Sequence, residues 1–126
     1  MEKVIEIDGR EVKMKASALV PRLYRFKFGR DMMQDMASLR KSFQKLKQLP
    51  DDASEEEKQT AQLSVLDLTI FENVAYIMAK HADANLPNSA DEWLDGFSMF
   101  SIYEILPQIL DLWEMSCGTT STPKKK

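Results

Sequence analysis

Apolar residues recur along this chain in two rhythms. From Val4 to Lys15 they alternate with charged residues, and Asp8-Gly9 divides the run in half. Alternation of period two around an Asp-Gly pair predicts a β-hairpin over residues 4–15. In the register set by that turn Ile5 faces Val12 and Ile7 faces Arg10. Ile5, Ile7, Val12 and Met14 then share one face, and Glu6, Glu11 and Lys13 the other. A lone hairpin is marginal in water, so its apolar face is expected to lie on the helices that follow.

Beyond Ala16 the period lengthens to that of a helix. Ser17 as cap and Pro21 in the first turn predict a short helix over 17–26, closed by Gly29. Asp31 opens a second over 31–48, in which Met32, Met36, Leu39, Phe43 and Leu46 form an apolar stripe opposite Arg40, Lys41, Lys45 and Lys47, and Pro50 stops it. A third is expected to start near Ser54, where Glu55, Glu56 and Glu57 suit the positive end of a helix dipole, and to run to Ala82 with Leu63, Leu66, Ile70, Val74 and Ile77 as its apolar face. Ser89 and Glu92 have the spacing of a capping box and open a short helix over 89–96 carrying Trp93, Leu94 and Phe97. A final helix over 98–115 buries Ile102, Leu106, Ile109, Leu110 and Trp113, with a kink or fresh start expected before Pro107.

These elements make a mostly α (α+β) domain over residues 1–116, an N-terminal β-hairpin packed on a bundle of four to five α-helices. Residues 117–126 are polar, lack periodicity and are expected to be disordered. At 126 residues the chain suffices for one core without metal or disulfide staples. There is no internal repeat.

Charge adds an asymmetry. Residues 10–47 hold eleven Lys/Arg and three Asp/Glu, about +8, whereas residues 48–121 hold two and fourteen, about −12. Either the halves neutralise each other within one monomer, or copies associate head to tail through complementary patches. The single Cys117 cannot form an internal disulfide, no apolar run is long enough to span a bilayer, and the first residues lack a secretory h-region. The expected compartment is a reducing cytoplasm, with no membrane partner.

Little in the sequence points to catalysis. His81 is the only histidine and lies far from Cys117, so a Cys-His nucleophile would depend on the fold bringing them together. No Cys/His cluster has zinc spacing, the acidic run Asp51 to Glu57 lacks the pattern of a calcium loop, and the four glycines are scattered rather than gathered into a phosphate loop. No cofactor or metal is expected, and the chain is read as non-enzymatic. The basic helical first half raises DNA binding, but a pI near 5.2 and the absence of a helix-turn-helix pattern argue against a nucleic-acid partner. Eight methionines fit either gap-filling in a core or an adaptable interface.

Several blocks, taken in order, carry a family resemblance. They are the hairpin around Ile7-Asp8-Gly9-Arg10, the run from Leu23-Tyr24-Arg25-Phe26 through Met36, Ala75-Tyr76-Ile77-Met78-Ala79-Lys80, Glu92-Trp93-Leu94-Asp95-Gly96-Phe97, and Ile102 through Trp113. Together the sequence resembles the tail assembly chaperones of phages and prophages of Gram-positive bacteria. The resemblance implies an assembly factor that coats the tape measure protein, recruits tail tube subunits and leaves as the tube polymerises. Its place is then the host cell cytoplasm, not the mature virion.

The resemblance also raises a longer frameshifted form, as Lys124-Lys125-Lys126 is what A-rich slippery codons would encode, the alternative being an ordinary basic tail. It supplies no catalytic residues. For partner binding the candidates are Tyr24, Phe28, Trp93 and Phe97, aromatic side chains that serve equally well as interface anchors or as core. The competing readings are a small helical DNA-binding regulator and a non-catalytic subunit of a larger enzyme.

Overall fold

A computed structural model describes residues 1–47 and 64–121. The acidic stretch Asp51 to Thr60, the stop at Pro50 and the terminal lysines lie outside the described residues. The architecture is α+β: an antiparallel hairpin of β1 (Glu2–Ile7) and β2 (Arg10–Lys15), followed by helices α1 (Val20–Phe28), α2 (Met32–Lys47), α3 (Val65–Ala82), α4 (Ala90–Asp95) and α5 (Ile102–Ser121).

The hairpin has the expected register, with Ile5 opposite Val12 and Ile7 opposite Arg10. Asp8 and Gly9 adopt φ of 56° and 76°. Positive φ at both central residues is the type I′ turn, whose twist matches that of the strands. The ladder closes at its open end where the Met1 amino group donates to the Ala16 carbonyl at 3.0 Å and Ala16 N–H donates back at 2.8 Å. Ile5, Ile7 and Met14 are buried and Val12 is half-buried, so one face enters the core as the alternation requires.

α3 is the centre of the bundle, in contact with β2, α1, α2, α4 and α5, while β1 rests against α5. From Ile70 to Ala79 only Glu72 and Asn73 escape full burial; Phe71, Val74, Ala75, Tyr76, Ile77, Met78 and Ala79 are all enclosed. A helix apolar on every side belongs in the middle of a fold. Each large side chain removed from water there contributes about 2 kcal/mol before the entropy of ordering it is set against the gain.

Ile70, Val74 and Ile77 are buried as expected, but the long third helix is corrected. α3 starts after Ser64, whose backbone is extended (φ −76°, ψ 168°) and therefore interrupts any continuous helix from Ser54. Ser64 Oγ accepts from Asp67 N–H at 3.0 Å, and Asp67 Oδ2 accepts from Ser64 N–H at 3.1 Å. That reciprocal capping box satisfies two amides that a helix start leaves free. Leu66, expected in the apolar face, falls in the first turn and is 53% exposed.

Other boundaries also move. Ser17 does not cap α1 directly; its carbonyl accepts from Val20 N–H in a turn, and the helix starts at Val20 with Pro21 in its first turn. The helix then continues to Phe28 because Gly29, at φ 68°, supplies the left-handed residue that ends it, donating to Arg25 O at 2.8 Å. α5 begins at Ile102 rather than Ser98, since residues 97–101 run irregularly and place Phe97 and Phe100 on the Trp93 ring. It passes through Pro107 without restarting and runs to Ser121, into the expected tail. Continuing a helix that is already formed adds one hydrogen bond per residue fixed, so Cys117 to Ser121 can follow the preceding turns. Ser89 caps α4, but its hydroxyl donates to Glu92 Oε1 at 3.3 Å, in addition to accepting Glu92 N–H at 3.1 Å.

Candidate partner-binding groove

α1 carries two apolar stripes side by side. Val20, Tyr24 and Phe28 recur every four residues on the inner side, and Leu19, Leu23 and Phe26 recur at four and three on a second. The first stripe docks α1 onto the bundle: Val20 and Tyr24 are fully enclosed, and Phe28 packs against the Tyr24 ring with centroids 5.1 Å apart. The second is only partly covered. Leu23 is half-buried, Leu19 is 45% exposed and Phe26 is 73% exposed.

The corner between α1 and α2 fixes that orientation. Tyr24 OH donates to Asp35 Oδ2 at 2.8 Å, and Arg30 grips the same carboxylate through Nε at 2.8 Å and a terminal nitrogen at 2.9 Å. Arg30's hydrogen bonds, more than any other influence, hold the Asp35 carboxyl below the ordinary carboxylate range; burial works against them and the Tyr24 bond helps. Burial, reinforced by Asp35, pushes the Tyr24 phenol well above its ordinary value, so it stays protonated and remains a donor.

Between the second stripe of α1 and the C-terminal half of α3 lies an open groove of about 670 Å³. Leu19, Leu23, Phe26 and Ile77 supply its apolar surface, and Lys27, Lys80 and His81 its basic side chains. Helical spacing puts those of α3 there: Tyr76 and Lys80 stand four apart, as do Ile77 and His81. The loop after α3 forms the end wall. Lys80 Nζ binds the carbonyls of Ala84 at 2.8 Å and Leu86 at 2.6 Å and the Asn88 side chain at 3.3 Å, Lys27 Nζ reaches the Asn88 carbonyl, and Tyr76 OH donates to Pro87 O at 2.6 Å.

Among the described residues, every oxygen that these two ammonium groups meet is a neutral carbonyl or amide, and no carboxylate lines the groove. The groove is therefore greasy and positive on a chain whose net charge is −3. At His81, burial first, then Lys15 and the amino terminus, lower the pKa below the ordinary histidine value.

No protein-family model, curated protein or solved structure matches this chain.

His81 Nε2 lies 3.0 Å from Ser17 Oγ, a contact that sequence reasoning missed because 64 residues separate the two. A hydrolytic Ser-His pair needs a third group orienting the imidazole and donors for an oxyanion. Neither is seen around this pair among the described residues, and the Ser17 oxygen already accepts from Leu19 N–H at 3.3 Å. Its visible role is to tie the turn before α1 to the end of α3. No group of three or more potential metal ligands occurs among the described residues, and no described helix is long and apolar enough to cross a membrane.

Of the four aromatic candidates, Tyr24 is wholly buried and Trp93 is 5% exposed, while Phe28 and Phe97 are half-buried. They do not converge on one surface. Trp93 and Phe97 belong to a second cluster with Phe100, in which Trp93 meets the other two edge-on at 5.2 and 5.5 Å. Arg10 locks that cluster to the hairpin, with its guanidinium 4.3 Å from the centre of the Phe97 ring and a hydrogen bond to Gly96 O. Asp8 Oδ2 accepts from Ser98 N–H at 2.9 Å beside it. Gly96 suits the close approach, since a Cβ there would lie 3.3 Å from Trp93 O. Phe26, the most exposed aromatic ring of the groove, was not among the sequence candidates.

Proposed function

We propose that this chain is a tail assembly chaperone of a tailed phage. On this reading it binds the tape measure protein, recruits tail tube subunits to it in the host cell cytoplasm, and is absent from the mature virion. The observation that carries the proposal is the ordered set of sequence blocks from Ile7 to Trp113 that resembles that family. With no family match behind it, the reading draws its physical support from the groove. A protein that shelters a long apolar helix needs an accessible greasy surface on a stable body, and weak contacts repeated along a filament provide binding that can later be undone.

The chaperone is further proposed to self-associate through its basic first half and acidic second half, a contact that raised salt weakens. Duplex DNA binding gains no specific support; on the basic face of α2, Arg40 Nε lies 3.1 Å from Glu114 Oε2 of α5 without a hydrogen bond.

The test is capture. The immobilised chain should retain the tape measure and tube proteins encoded beside it and should not retard duplex DNA. Failure to retain either protein, or recovery of the chain as a permanent component of purified virions, would refute the proposal.

A further inference from the structure

We infer that the α1–α3 groove takes one amphipathic helix that presents apolar residues at i, i+4 and i+7 and carries carboxylates along its flanks. This deepens the chaperone reading and rests on it for the claim that the natural occupant is a protein.

Three observations fix the chemistry of the occupant. First, Leu19 and Phe26 leave about half or more of their surface in water although both are large and apolar, at the edge of a groove whose floor continues into Leu23 and Ile77. Isolated exposed apolar residues are ordinary, but these are contiguous and line one concavity. Second, the charged side chains that line the groove among the described residues are all basic. Lys27 and Lys80 meet only neutral oxygens there, and no described carboxylate lines the groove. Third, α1 is nine residues long, which gives about 13 Å of wall, or roughly two and a half helical turns. That length matches apolar anchors at i, i+4 and i+7 of a partner helix lying along it. Carboxylates on either side of those anchors would reach the two ammonium groups, with Arg22 adding a third cation where its guanidinium stacks 5.2 Å from the centre of the Phe26 ring.

The chain as it exists is titrated by fluorescence anisotropy against three labelled helical peptides of about 18 residues, the length at which an isolated helix becomes respectable in water. All share one backbone design. One has leucines on the anchor face and glutamates on the flanks, one replaces the glutamates by lysines, and one replaces the leucines by alanines. The glutamate-leucine peptide is expected to bind at least tenfold more tightly than either of the others and to weaken as salt is raised. Phe26→Ser, and separately Leu19→Ser, should each weaken it about tenfold or more while circular dichroism and the urea midpoint stay at wild-type values, since both side chains are exposed.

Equal binding of the lysine peptide overturns the inference, as does binding that survives both serine variants, or no binding at all by the folded chain. Phe26→Ser abolishing self-association in sedimentation while leaving peptide binding intact would make the occupant a second copy and also overturns it. The two proposals separate cleanly. If Phe26→Ser still captures the tape measure protein, the groove assignment fails and the chaperone reading stands. If the peptide binds as described but no tail protein is captured, the chaperone reading fails alone.

Discussion

Replacing Asp35 by alanine should cost the fold about 2–3 kcal/mol, and the structure shows where the loss arises. Asp35 is 6% exposed and accepts a hydrogen bond from Tyr24, whose side chain is fully buried. Removing the carboxylate leaves the phenol enclosed with no partner, a penalty of about 1–3 kcal/mol, and it also deletes a bond to an ionised acceptor. The Arg30 side chain is 45% exposed, so it returns to water and losing its pairing adds little. Alanine's better helix propensity offsets roughly 0.5 kcal/mol. For a domain of this size the net effect is a fall in Tm of about 10 °C, measurable by calorimetry and by urea denaturation. The decisive comparison is the double variant Tyr24→Phe/Asp35→Ala. Deleting the phenol oxygen as well removes the orphaned group, so the two changes together should cost about 1–2 kcal/mol less than the sum of the singles. An Asp35→Ala protein within about 0.5 kcal/mol of wild type, or strictly additive losses, would refute the account of the α1–α2 corner.

The same carboxylate makes stability depend on acid. Its pKa is lower in the fold than in the unfolded chain, so its contribution is complete above the ordinary value of about 4 and is lost as pH falls through the folded value. Urea midpoints at descending pH should therefore drop more steeply for the wild type than for Asp35→Asn, which starts lower at neutral pH. Ser64→Ala should remove the capping box of α3 and lower stability by about 1 kcal/mol, whereas Ser64→Asp, which keeps an acceptor oxygen, should lose less. Chemical denaturation distinguishes the two, and equal losses would show that the cap is not what starts the helix.

How far the fold was legible depended on whether a pattern had one physical reading. Alternation around Asp8-Gly9 has only one, because a slip of a single residue would turn Ile5, Ile7 and Met14 out to water, and the observed register agrees with it pair for pair. The stripe of α2 was equally plain, with Met32, Met36, Leu39 and Phe43 all buried as spaced. The start of α3 was misread because a helix buried almost all round has only a narrow polar side, at Glu72, Asn73 and Lys80, to give it a phase. A stripe can be drawn through such a helix in several ways, and the one extended back through Leu66 and Leu63 passed over Ser64. The signal that could have placed the start was Ser64-Val65-Leu66-Asp67, a capping box with aspartate in the place usually given to glutamate. The start of α5 was misplaced for a different reason. Phe97 and Phe100 are drawn to the Trp93 ring by tertiary contacts, and no local propensity records that.

The groove was harder to foresee than the fold, because the residue types that form it are also those of a core. Sequence reasoning chose partner anchors by side-chain chemistry and so named Tyr24, Phe28, Trp93 and Phe97, all large and aromatic. What decides whether an aromatic ring can meet another protein is the direction in which its helix turns it. Phe26 and Phe28 stand two residues apart, about 200° around the axis of α1, so they cannot both face the bundle. The Tyr24–Asp35–Arg30 corner settles which one does: with Tyr24 drawn inward, Phe28 follows it four residues on and packs on its ring, and Phe26 is left 73% exposed. The interaction surface proposed for this helix would thus be a consequence of a buried hydrogen bond on its opposite side. If that bond sets the orientation, a change at Asp35 should alter peptide binding at Phe26 without touching the groove.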